Sequence, residues 1–239
     1  VVIGCYGGNT GAGANKNEDA AHVWAATDGS WEFAVLVDAH YSSESAAVIL
    51  AGIAAQRDAI VASLTGPLDE FVPALHTALL TLFRSKAFRA RCQQVVGEAS
   101  CLICARREHF LWWMNIGDCV LYLFHPELAR LGQFALNQRS FFEWIGARNT
   151  FDLPIPCYTT GVRELFPGMN RILLTTDGLL ECGAQPFADA RALYALFNPG
   201  SPTSDQAAVE RALATVHHER GRDSATLIAW STISRNTRW

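Results

Sequence analysis

Four short apolar runs, at residues 100–105, 110–116, 120–124 and 131–135, follow one another with only brief polar or glycine-containing turns between them. Parallel strands would need a crossover between each pair, so this spacing predicts an antiparallel meander. Ahead of it, residues 1–6, 20–27 and 33–37 read as strands. Residues 42–63 and 68–91 then carry apolar side chains at helical spacing, with Ser42, Ser43 and Glu44 as capping residues and Gly66-Pro67 as the break. Beyond the meander a mixed segment, 137–156, leads to strands near 158–165 and 171–175, helices near 187–197 and 205–220, and a last strand at 225–233. Strand runs alternating with helix pairs predict an α+β layered sandwich. With 239 residues, half of them apolar, the chain can bury a sizeable core as a single domain spanning 1–239.

The formal net charge of −4 supplies no positive field for nucleic acid or an anionic membrane, and neither is expected as a partner. The sequence holds no apolar stretch of membrane-spanning length and no basic-then-apolar leader. The seven cysteines are an odd number and mostly sit in apolar runs, which points to free thiols in a reducing cytoplasm. Cys101 and Cys104 have C-x-x-C spacing, but on a strand residues three apart face opposite sides, so both are expected in the core. Trp112 and Trp113 face opposite ways for the same reason, and at least one should be buried. His217 and His218, among charged neighbours of a late helix, read as surface residues.

Four aspartates share an unusual setting: Asp38 after a run of FAVLV, Asp118 after WWMNIG, Asp177 after RILLTT, and Asp223 just before SATLIAW. Each is expected at the mouth of a strand apolar enough to be buried. Desolvated carboxylates that converge repel one another and resist ionisation unless a cation neutralises them. Small neighbours (Ala39, Gly117, Gly178, Ser224) let backbone approach a ligand closely. All these donors are hard oxygens, with no Cys/His set at zinc spacing, so Mg²⁺ or Mn²⁺ is the physical choice. An aspartate at a strand end also serves simple turn chemistry, and sequence alone does not bring the four together.

Read in order, Asn17-Glu18-Asp19, Val37-Asp38-Ala39-His40, Asn115-Ile116-Gly117-Asp118, Thr176-Asp177-Gly178 and Asp223-Ser224-Ala225-Thr226 resemble the signature segments of the type-2C (PPM) serine/threonine protein phosphatases. The resemblance runs over nearly the whole chain and implies a four-layer α-β-β-α sandwich with two mainly antiparallel sheets. It also implies hydrolysis of phosphoserine and phosphothreonine in proteins that are substrates of a serine/threonine kinase. By the same resemblance Asp38 bridges two Mg²⁺ or Mn²⁺ ions, Asp177 and Asp223 hold the first, and the Ala39 carbonyl holds the second. Glu18 and Asp19 orient waters, Asp118 with Asp177 matches a third, weaker metal position, and His40 falls on the general acid. Two such ions activate a water and neutralise phosphoryl oxygens, so no protein nucleophile is needed.

The sequence also departs from the family. The run Ala39-His40-Tyr41-Ser42 replaces the usual glycines, and Ala14 stands where a phosphate-binding Arg is usual. Lys16 can supply charge, although a solvated loop lysine is its plainer reading, and weaker phosphate binding is the expectation. The loop 7–13 lacks the Lys-Ser/Thr ending of a nucleotide P-loop. Phe141, Phe142 and Trp144, in the segment where the family carries a flap, are expected mainly as core, with a docking surface as the alternative. Two rival functions stay open: a pseudophosphatase that binds phosphoproteins or acts as a scaffold, and a phosphatase of small phosphoesters.

Overall fold

The computed structural model describes residues 1–7 and 17–235; loop residues 8–13, Ala14 and Lys16 lie outside the described residues. The chain runs β1 (Val2–Tyr6), β2 (Ala20–Ala25), β3 (Trp31–His40), α1 (Glu44–Ala55), α2 (Arg57–Thr65), α3 (Phe71–Arg84), α4 (Lys86–Cys92), β4 (Glu98–Arg107), β5 (Phe110–Ile116) and β6 (Val120–Phe124). It continues with α5 (Pro126–Arg130), β7 (Ile145–Gly146), β8 (Thr159–Glu164), β9 (Gly168–Thr175), α6 (Asp177–Leu180), α7 (Ala190–Leu196), α8 (Asp205–His218) and β10 (Ala225–Ser234). One sheet has the order β1-β10-β9-β6 and the other β2-β3-β4-β5-β8, with β7 alongside β4. Every pairing is antiparallel.

Strand alternation builds the four layers. On β3, Phe33, Val35 and Val37 pack under the α1–α4 helices, while Ala34 and Leu36 enter the layer between the sheets. On the other sheet, Tyr122 and Phe124 of β6 and Leu227 of β10 face α7 and α8, while Leu121 and Ile228 meet the first sheet. Each such buried large apolar side chain contributes roughly 1.5–3 kcal/mol, and the period of two is what lets a single strand feed two cores. Cys101 and Cys104 fall on opposite faces of β4, and Trp112 and Trp113 on opposite faces of β5; all four are buried. Five cysteines are buried and free (Cys92, Cys101, Cys104, Cys119, Cys182), whereas Cys5 and Cys157 are exposed. His217 and His218 lie exposed in the last turn of α8.

The meander is divided. β4 and β5 pair as expected, but the chain then leaves that sheet at Gly117-Asp118, and β6 joins the other, beside β9. Gly117 has φ +97°, and a Cβ there would sit 2.2 Å from the Ser100 hydroxyl, so the crossing needs glycine. Residues 131–135 form no strand; Ala135 makes only a single bridge to Tyr122. The helical stretch 42–63 bends by 57° at Gln56 into α1 and α2. The second long helix stops at Ser85, whose extended backbone and side chain cap α4 by accepting from the Phe88 amide. Among the described residues no single helix is long and apolar enough to cross a membrane.

Candidate metal centre

Asp38, Asp118 and Asp177 converge at one end of the layer between the sheets. β3 runs on to His40, so Asp38 lies inside a strand rather than at its end, in register with Ser100 of β4. Asp118 occupies the crossing between the sheets, and its Oδ1 accepts from the Ser100 hydroxyl at 2.6 Å. Asp177 begins α6 immediately after β9. A Cβ on Gly178 would stand 1.8 Å from the Ser224 carbonyl oxygen, and that close approach holds the Asp177 turn against the start of β10. The three aspartates each offer an oxygen within 4.8 Å of the others, and all three are buried.

Asp38 Oδ2 and Asp177 Oδ1 are shut off from solvent and have no hydrogen-bond partner among the described residues. A buried polar atom left unpaired costs about 1–3 kcal/mol, more when charged. Burial pushes the Asp38 carboxyl well above the usual range, and the charges of Asp19, Asp177, Asp118 and Asp223 push it further. Burial and Asp118, Asp223 and Glu181 raise Asp177 to about 6, against the pull of Arg139. Asp19 rises to about 7, chiefly through burial, although the Thr176 hydroxyl donates to its Oδ2 at 3.1 Å. Crowded, desolvated, hard oxygen donors of this kind fit a divalent cation of the Mg²⁺ or Mn²⁺ type.

The other candidates stand around this group. Asp223 repels Asp38, Asp177 and Asp19 electrostatically but is exposed and stands outside the close group of three, its Oδ1 accepting from the Ser224 amide. The Glu18 amide donates to the Ser224 hydroxyl at 3.4 Å, which ties the start of β2 to the start of β10. Ala39 points its side chain into the helix-side core. His40 is half-buried, its ring edge-on to Trp144 with centroids 5.5 Å apart. Beside Asp223 opens a cleft of about 540 Å³ lined by Gly178, Glu181, Arg220 and Arg222.

Sequence reasoning missed Arg139. It lies in the segment read as mixed, where no period or motif marks it, yet its Nη2 stands 2.9 Å from Asp177 Oδ2, 2.7 Å from Glu181 Oε1 and 3.5 Å from Asp118 Oδ2. The same segment docks on the crossing turn, where the Ser140 amide donates to the Gly117 carbonyl. Phe141 and Phe142 are exposed, not core as expected; Phe142 has φ +68° and Phe141 lies beneath the Arg139 guanidinium. Trp144 is half-buried.

Comparison of the whole structure with solved structures identifies the architecture. A bacterial serine phosphatase superposes with TM-score 0.71 at 13% identity, covering 99% of this chain and 98% of its own. The fold is that of the PPM-type phosphatases. PppA of Pseudomonas aeruginosa, a regulatory component, matches with TM-score 0.67 at 18% identity, covering 97% and 96%. The serine/threonine phosphatase PstP of Mycobacterium tuberculosis gives 0.61 at 18%, covering 98% and 97%. No protein-family model and no curated protein matches the sequence, so the likeness to PPM-type phosphatases is one of fold, with the four-layer α-β-β-α sandwich and its two antiparallel sheets in place.

Proposed function

We propose that this chain, acting as one domain over 1–239, is a metal-dependent phosphatase of phosphoserine and phosphothreonine in proteins. The carrying observation is the pair of orphaned oxygens, Asp38 Oδ2 and Asp177 Oδ1, buried among converging carboxylates at the end of a PPM-type sandwich. Asp38 and Asp177, with Asp223 and the Ala39 carbonyl, would hold two Mg²⁺ or Mn²⁺ ions. Such ions supply an activated water and neutralise phosphoryl oxygens. Glu18 and Asp19 orient water at the rim. His40, next in line on the face of β3 that carries Asp38, donates the proton that the leaving seryl or threonyl oxygen needs. Arg220 and Arg222 bring positive charge to the cleft beside Asp223, suited to a phosphorylated segment. Buried free thiols suit a reducing compartment, and we place the protein in the cytoplasm.

Hydrolysis of a phosphothreonine peptide with Mn²⁺, with and without EDTA, tests this reading, and full turnover in EDTA overturns it. A second reading, a phosphoprotein-binding module with little turnover, is favoured by one observation: Asp223 is exposed and outside the close group of aspartates. Tight phosphopeptide binding without product would select it. A panel of phosphorylated metabolites separates protein substrates from small phosphoesters.

A further inference from the structure

We propose that the Arg139 guanidinium occupies the position of a third cation, so that this centre holds two divalent ions and a fixed positive charge where three ions would otherwise fit. The inference rests on the metal-centre reading above and adds to its Asp177 three residues that reading does not use, Arg139, Glu181 and Asp118. A single nitrogen, Nη2, stands amid three carboxylate oxygens, those of Asp177 at 2.9 Å, Glu181 at 2.7 Å and Asp118 at 3.5 Å. A small cation bound between Asp118 and Asp177 would need the same place, and the two cannot share it.

The oxygens divide accordingly. Asp118 has both oxygens engaged, Oδ1 by the Ser100 hydroxyl and Oδ2 by Arg139. Asp177 gives Oδ2 to Arg139 and leaves Oδ1 unpaired, as Asp38 leaves Oδ2 unpaired. Among the described residues the unpaired buried carboxylate oxygens of this group thus belong to Asp38, Asp177 and Asp19, whereas neither oxygen of Asp118 is left without a partner. A guanidinium is not deprotonated in proteins, so Arg139 is cationic at any working pH. Its Cζ also lies 5.0 Å from the centroid of the Phe141 ring, a cation–π contact that helps to hold it. An Arg cannot be washed out by a chelator, so this charge is permanent.

Counting bound Mn²⁺ on the full chain, from the free-ion signal in electron paramagnetic resonance, tests this without reference to activity. The wild type should bind two ions and Arg139→Gln three, the third more weakly, whereas Arg139→Lys should stay at two. Adding Asp118→Asn to Arg139→Gln should return the count to two. Asp118→Asn alone should leave it at two, because in the wild type that carboxylate serves Arg139. Three ions on the wild type, or loss of an ion on Asp118→Asn alone, overturns the proposal while leaving the metal centre intact. So does a count of two in folded Arg139→Gln. No ion on the wild type removes the metal-centre reading and this inference with it. Should Arg139→Gln fail to fold, the wild-type and Asp118→Asn counts still decide.

Discussion

Ser100 donates its hydroxyl to Asp118 across 2.6 Å while standing in register with Asp38 on the neighbouring strand. One hydroxyl thus ties the strand paired with that of the first aspartate to the turn that carries the second. Ser100→Ala leaves the buried Asp118 Oδ1 without its donor, and the stability of the folded chain should fall by about 1–3 kcal/mol. Urea denaturation checks this, and an unchanged midpoint would show that water replaces the hydroxyl.

The carboxyls give the metal-free protein a definite pH dependence. Asp19 and Asp177 bind protons more tightly in the folded state, with values near 7 and 6 against an ordinary 3.8. Their contribution to stability is full below about pH 4 and is lost as pH rises through 6 to 7, because the folded state then sheds protons it held preferentially. Cations must displace the same protons, so the rise in Tm caused by Mn²⁺ should be larger at pH 8 than at pH 5.5. Thermal melts at the two pH values measure it; an equal or larger shift in acid would contradict the assignment.

Asp38→Asn removes a charge from the middle of the crowd without changing its shape. The metal-free variant should be more stable than the wild type at pH 8, by about 1–2 kcal/mol. It should also lose the Mn²⁺-dependent rise in Tm and turn over phosphothreonine peptide too slowly to detect. A variant that is less stable without metal would mean that Asp38 is held by a partner rather than strained by its neighbours.

His40→Ala should lower kcat for a phosphothreonine peptide by on the order of 10²-fold, because that alkoxide leaving group needs a proton. The loss with p-nitrophenyl phosphate should be much smaller, and the count of bound Mn²⁺ should not change. Equal losses on both substrates together with weaker metal binding would make the imidazole a prop for the β3 end, through its contact with Trp144, and not the acid.

Period and turn chemistry carried the layers far enough to be read from the sequence. Apolar runs such as 33–37 and 100–105 announce strands whatever they pair with, and the Asp-bearing ends were visible because a carboxylate beside such a run is conspicuous. Pairing choice was not visible. Whether β6 continues beside β5 or crosses to β9 turns on the backbone of Gly117 and its fit against Ser100, a contact between residues 17 positions apart. The helix break at Ser85 and the bend at Gln56 are equally local events inside apolar periodicity that continues across them. Arg139 escaped because an isolated arginine in an irregular segment has no sequence signature; only the folded chain shows that three acidic groups from elsewhere surround it. Phe141 and Phe142 misled for the opposite reason, since aromatic residues are counted as core by default while here the docked segment turns them outward.

The division of the thiols makes the chain its own unfolding reporter. Burial pushes the Cys101 thiol up to about 12 and those of Cys104 and Cys119 well above the ordinary value, so a maleimide reagent should reach only Cys5 and Cys157 in the native state. Mass spectrometry of the labelled chain would then read the opening of each layer separately, since Cys101 lies under the helices and Cys104 between the sheets. Cys157 also borders the cleft formed by Phe142, Trp144 and Leu153, so a fluorophore attached there would sense movement of the aromatic segment without a cysteine having to be engineered in.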